Sequence, residues 1–281
     1  MFARISNSWD LVKASAAVLR ADKELVLFPL ISMIAMLIVT ATFAIPLFLA
    51  GFFETISQEG GEVLGLAVLF VFYVVMYFVI IFANAALVGA AMIRLEGGDP
   101  TVGDGLHIAF QRLGAILGYA LIAATVGMVL RGIRERGGIV GQIASSLLGF
   151  AWNLATFLVV PVLVIEDVGP IEAIQRSARL LKRTWGEQIV GNLSIGLVFV
   201  LIGIAVILLG GAVIALAVTT GAEALVVLAV LLLVLALVSV GLLSSTLSGI
   251  YSAAVYRYAV DGETGDFFSP DLIEDTFRIK G

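Results

Sequence analysis

Cysteine is absent from the 281 residues, and histidine occurs once, as His107. Disulfides, thiolate metal sites and cysteine nucleophiles are therefore excluded, and a zinc or haem centre built from histidine and cysteine lacks its ligands. An oxygen-only magnesium or calcium site would need carboxylates gathered from separate loops, so no metal or cofactor is expected. Charge is the next shortage. Acidic and basic residues make up 13% of the chain, half of the ~25% usual in soluble domains, which leaves too few polar groups to cover a surface facing water. Phosphate-cradling motifs are missing as well: the pairs Gly97-Gly98, Gly137-Gly138 and Gly210-Gly211 fall outside any GxGxxG or P-loop pattern. Serines within the apolar runs have no basic partner there, so nucleophilic catalysis has no visible base and no catalytic residue is assigned.

What is abundant is apolar sequence, with 61% hydrophobic residues and a mean hydropathy of +1.13. Six runs, 25 to 53, 63 to 93, 113 to 130, 138 to 165, 189 to 219 and 224 to 256, contain no Asp, Glu, Lys, Arg or His. Each reaches the ~17–25 residues that a helix needs to cross the hydrocarbon core, where every backbone group must be satisfied within its own segment. The fold predicted is all-α and integral to a membrane, six spans in one domain covering 1–281. No cleavable signal is expected, because Arg4, Asp10, Lys13, Arg20, Asp22, Lys23 and Glu24 precede the first run.

Lysine and arginine in short loops set orientation. Thirteen of them fall in the N-terminal segment, the 94 to 112 and 166 to 188 loops and the C-terminal end; the other side has three, Arg131, Arg134 and Arg136. This predicts a cell (plasma or inner) membrane protein with both termini cytoplasmic. The three arginines on the minority side leave open that spans three and four form a shallow pair, and they are candidates for binding a phosphate or a lipid headgroup.

Three segments preceding odd-numbered spans share apolar spacing i, i+4, i+7, i+11, one face of an α-helix: Ile5, Trp9, Val12, Ala16; Leu106, Phe110, Leu113, Leu117; and Ile174, Ala178, Leu181, Trp185. In the third, Arg176, Arg179 and Arg183 lie on the opposite face, as in a helix that sits in the interface with its cations toward headgroups. His107 sits at the edge of the polar face of the second, where it meets water or headgroups. A polar residue also precedes an acid by twelve or thirteen positions in each even-numbered span: Asn84 before Glu96, Asn153 before Glu166, Ser248 before Asp261. The simplest account is three repeats of interfacial helix plus helical hairpin, about 1–95, 103–165 and 171–260, with a short tail at 261–281. Asn84, Asn153 and Ser248 then form either a polar ring near mid-membrane or ordinary interhelical hydrogen bonds; Gln142 and Asn192 carry the same two readings. Gly196, Gly203, Gly210 and Ala217 give span five a smooth packing face, and Pro46 and Pro161 each remove a backbone hydrogen bond inside a span.

The opening Ile5-Ser6-Asn7-Ser8-Trp9, then Asp22-Lys23-Glu24-Leu25 and Phe28-Pro29, and later Ile165-Glu166-Asp167 and Ala173-Ile174-Gln175-Arg176-Ser177, resemble a prokaryotic family of six-helix membrane proteins of unknown function, of the DUF6159 type. More distantly, the plan of short helix plus hairpin is similar to the membrane domains of some glycerophosphodiester phosphodiesterases, whose catalytic barrel is missing here. The resemblance implies an integral membrane location and no assigned catalytic residues.

The function expected is non-enzymatic: contact with membrane lipids, or a scaffold and assembly role, with Arg176, Arg179 and Arg183 on headgroups. Its alternative is a transporter or channel for a small or amphipathic solute lined by Asn84, Asn153 and Ser248. Lipids are the expected partners, self-association or a second membrane protein is left open, and no nucleic acid is expected. The absence of ionisable residues from the spans weighs against ion-coupled transport.

Overall fold

A computed structural model of the chain describes residues 2–52, 61–185, 194–263, 265–269 and 271–273. Among them the elements follow in the order α1 (Phe2–Ala21), a 3-10 turn (Lys23–Val26), α2 (Leu27–Leu49), α3 (Gly61–Leu95), α4 (Val102–Gln111), α5 (Leu113–Arg136), α6 (Gly138–Ala155), α7 (Val159–Ile165), α8 (Pro170–Trp185), α9 (Ser194–Thr219) and α10 (Glu223–Asp261), with no strand. Six helical stretches are long and apolar enough to cross a membrane: Lys23–Leu49, Gly61–Leu95, Leu113–Arg136, Gly138–Ile165, Val198–Thr219 and Glu223–Asp261. The third and fourth, which the arginines of 131 to 136 had left open as a shallow pair, have full spanning length.

Local chemistry sets the boundaries. Asp22 accepts a hydrogen bond from the backbone N–H of Glu24 at 3.2 Å and turns the chain from α1 into α2. Thr101 and Asp104 form a reciprocal capping box that opens α4. The Glu24 carboxylate accepts from the Val102 N–H at 3.2 Å, which sets an acid at the positive end of that helix. Between α5 and α6 the reversal is tight. Gly138 has φ +54°, and a Cβ on Gly141 would lie 2.3 Å from the Ile133 carbonyl oxygen, so only glycine lets the two helix ends meet. The fourth span breaks at 156–158. Pro161 has no N–H to give the Phe157 carbonyl, and the Leu158 N–H leaves the helix ladder to donate to Ser177 Oγ on α8 at 3.0 Å. Pro46 produces no such break; α2 continues through it.

The packing is cyclic. Three returning helices, α3, α7 and α10, touch one another pairwise, and each carries one short helix: α4 rests on α3, α8 on α7, and α1 on α10 and its neighbour α9. Burial is concentrated at this end. The second half of α3 from Ile81 to Leu95, nearly all of α7 and α10 from Thr246 to Tyr256 supply most of the core, whereas the outer halves of α2, α9 and α10 are largely exposed. On span five the glycine face meets its neighbour at Gly210, packed on Leu233 of α10, while Gly196 and Gly203 face open space.

The face that the short helices bury is rotated from the one their apolar spacing predicts and overlaps it at Val12, Leu106, Ile174 and Leu181. In α4 the buried positions are Gly105 and Ala109, while Phe110 is 57% exposed. In α8 they are Ala173, Ser177, Leu180 and Leu181; in α1, Ser8, Leu11, Val12, Ser15 and Val18, with Trp9 47% exposed. Each set lies mostly one residue before the predicted stripe. The reason is the solvent: where the surroundings are lipid, large apolar side chains gain nothing by turning inward, and small ones let backbones approach. A Cβ on Gly105 would sit 2.6 Å from the Ala86 carbonyl oxygen of α3. The side chains of Ile5 and Trp185, and all of Asn192, lie outside the described residues.

Candidate functional site

Of the three polar residues expected at mid-depth, Asn84 is half-buried on α3 and lines a cleft of about 370 Å³ between α2, α3 and α10, together with Ser32 and Ser245 among mostly apolar side chains. Its Oδ1 lies against Gly249, where a Cβ would come within 3.2 Å. Ser248 is half-buried one position away but is not among the cleft's lining residues, and Asn153 is exposed on α6. The structure thus sets Asn84 beside a cavity and leaves Asn153 outside it. Gln142 is exposed, and its backbone carbonyl accepts from the Ser145 and Ser146 hydroxyls at 3.0 and 2.8 Å.

The arginines of α8 divide in two. Arg176 Nε donates to both oxygens of Glu166 at 2.9 and 3.0 Å, and the Tyr256 hydroxyl donates to Glu166 Oε1 at 3.0 Å, so one carboxylate joins the end of α7 to α8 and α10. Arg179 and Arg183 are exposed and have no ion pair among the described residues. The other cations of this end are mostly committed to the protein. Arg94 donates to the carbonyls of Gly98 and Ala21 at 3.0 and 3.4 Å, Arg112 pairs with Asp167, and Arg257 donates to the Leu95 carbonyl and to Glu263. The partners Glu166 and Tyr256 were not anticipated from sequence; the acid ending span four and the arginine ten residues later were visible signals of the first.

Two carboxylates at the same end are perturbed in opposite directions. Burial pushes Asp22 above the usual carboxylate range, and its Oδ2 has no hydrogen-bond partner among the described residues. The hydroxyl and backbone N–H of Thr101 hold Asp104 below it. His107 is exposed, its Nε2 2.9 Å from Gln111 Nε2.

Arg131, Arg134 and Arg136 occupy the last turns of α5, at the far end of the molecule from the short helices, and all three are exposed. Arg131 Nε donates to Glu135 at 2.6 Å and Nη1 to the Tyr73 hydroxyl at 3.1 Å.

Six spanning helices gathered around three mutually packed returning helices define a multi-pass, all-α membrane protein. A family of unknown function, DUF6159, matches residues 63–268, and the chain belongs to it. The match includes Ile165-Glu166-Asp167 and Ala173 to Ser177 and begins after the opening motifs. No curated protein matches the chain, and the distant likeness to the phosphodiesterase membrane domains has no support.

Proposed function

We propose that this protein is a non-enzymatic component of the cell membrane that engages lipids, with both termini on the cytoplasmic side and anionic headgroups held along α8. The observation that carries this reading is the division of the α8 arginines: Arg176 is spent on Glu166, whereas Arg179 and Arg183 point outward from a helix whose opposite face is buried in the core. Cations on an amphipathic helix at membrane level attract anionic lipid, each worth about 1 kcal/mol near the surface. The cyclic placement of α1, α4 and α8 supports an origin by triplication of a helix-plus-hairpin unit. The test is lipid retention: wild-type protein exchanged through mixed vesicles retains anionic over zwitterionic phospholipid, and the R179Q/R183Q variant loses that preference. An unchanged preference in the variant contradicts the reading.

A second reading, passage of a small or amphipathic solute, is favoured by the cleft at Asn84, which lies between α2 and α10 where those helices touch only sparingly. Asn84→Leu would remove one of its three polar side chains, beside Ser32 and Ser245. Solute flux into proteoliposomes that falls in this variant would favour transport over lipid engagement.

A further inference from the structure

At the far end, a cavity of about 710 Å³ opens between the end of α2, the first turns of α3 and the last turns of α5. Its walls are almost wholly apolar, from Phe43, Leu47, Leu69 and Phe72 among others, and its charged groups are Glu62, Arg131 and Arg136. The volume lies within the ~300–1,000 Å³ of small-molecule pockets. From Glu62 to Phe72 on α3 the cavity runs about 15 Å at 1.5 Å per residue, half of the ~30 Å hydrocarbon core and so the depth of one leaflet. The arginines lie about 27 to 35 Å along α5 from Leu113, at the opposite end from the short helices, with Arg136 outermost and Arg131 bonded to Tyr73.

A second, more polar cavity of about 340 Å³ adjoins it, lined by Tyr73, Tyr77, Ala124, Gly127, Arg131, Arg134 and Glu135. Arg131 therefore stands between an apolar chamber and a polar one, fixed there by Glu135 and the Tyr73 hydroxyl. Arg134 and Arg136 have no ion pair among the described residues. Among the described residues, three arginines against two glutamates, Glu62 and Glu135, leave one positive charge on the walls of the two cavities together. A phosphodiester carries the single negative charge that balances it. Arginines on the side of the membrane that holds few cations also run against the usual distribution of charge, which a bound anion would explain.

We propose that these two cavities form a site for one phospholipid of net charge −1 with a hydroxylated headgroup. One acyl chain fills the apolar cavity from its Glu62 end inward to Phe72, the phosphate lies on Arg136 and Arg134 with Arg131 beside it, and the headgroup hydroxyls meet Glu135. Guanidinium matches a phosphate oxygen pair in geometry as well as charge. The inference rests on the reading of the protein as lipid-engaging and adds a particular lipid class at a particular place.

Native mass spectrometry of the delipidated full chain tests it, with phosphatidylglycerol, phosphatidylcholine and inorganic phosphate as probes. One phosphatidylglycerol is expected to bind at a concentration about ten-fold below that needed for phosphatidylcholine, the effect of one lost charge-assisted contact. R131Q/R136Q weakens the first lipid by at least that factor. A44F fills the apolar cavity from an exposed position on α2 while leaving the arginines in place, and it weakens the first lipid equally; unchanged thermal unfolding in both variants shows that the fold is kept. Equal binding of the two lipids, unaltered binding in A44F, or displacement of the lipid by inorganic phosphate overturns the proposal. A first lipid lost in R179Q/R183Q but kept in R131Q/R136Q rejects this site and preserves the lipid-engaging reading; a chain that retains no phospholipid in any form rejects both.

Discussion

Asp22 and Gly141 show how single side chains hold this molecule together against cost. Asp22 caps the turn into α2, yet burial makes its ionised form expensive and leaves Oδ2 without a partner among the described residues. Its folded pKa is raised, so the stability it contributes is fully present below the unfolded carboxylate range and is lost as pH rises through the folded value. D22N keeps an acceptor for the Glu24 N–H, and it is expected to be more stable than wild type at neutral pH, with the gain vanishing in acid; thermal unfolding followed across pH measures this. Asp104 has the opposite sign. Its folded pKa is depressed, so its contribution is present above the unfolded carboxylate range and lost as pH falls through the folded value. At Gly141, where a Cβ meets the Ile133 carbonyl at 2.3 Å, G141V forces α5 and α6 apart and is expected to destabilise by about 1–3 kcal/mol, read as a lower unfolding midpoint in detergent.

At the scale of elements, the span sequence was legible because lipid demands long uncharged helices, and among the described residues each of the six expected runs coincides with a helical stretch of spanning length. The short helices were legible as helices but only in part in their facing. Apolar periodicity identifies a buried face only when the other side is water, and Phe110, Leu117 and Trp9 face outward here while Ser15, Ala109 and Ser177 face in. The break at 156–158 was half legible: Pro161 announced a lost hydrogen bond, but nothing in the local sequence said that Ser177, nineteen residues on, would accept the freed Leu158 N–H. S177A leaves that buried donor unsatisfied and is expected to cost about 1–3 kcal/mol. Amide hydrogen exchange at Leu158 checks it: exchange in S177A is faster than in wild type, and S177T, which keeps the hydroxyl, exchanges slowly if the larger side chain fits.

The whole molecule is a ring of returning helices with its core at one end and largely exposed helices at the other, and its cations divide between the two ends. Of the candidate polar ring, Asn84 was placed beside a cleft and Asn153 outside it, because depth along a span is readable from residue count while rotation about the helix axis depends on neighbours far away in sequence. The arginines of 131 to 136 were visible as an anomaly; the apolar cavity beside them was not, since α2, α3 and α5 meet only in the fold.

Both proposed lipid sites require that α5 cross the membrane and set Arg131 to Arg136 on the face opposite α4 and α8. The absence of cysteine makes the chain ready for single-cysteine accessibility in intact cells with a membrane-impermeant maleimide. R134C and T220C are predicted to label from outside, and K13C, D99C and E172C only after the membrane is permeabilised. Labelling of R134C and D99C from the same side would contradict the account.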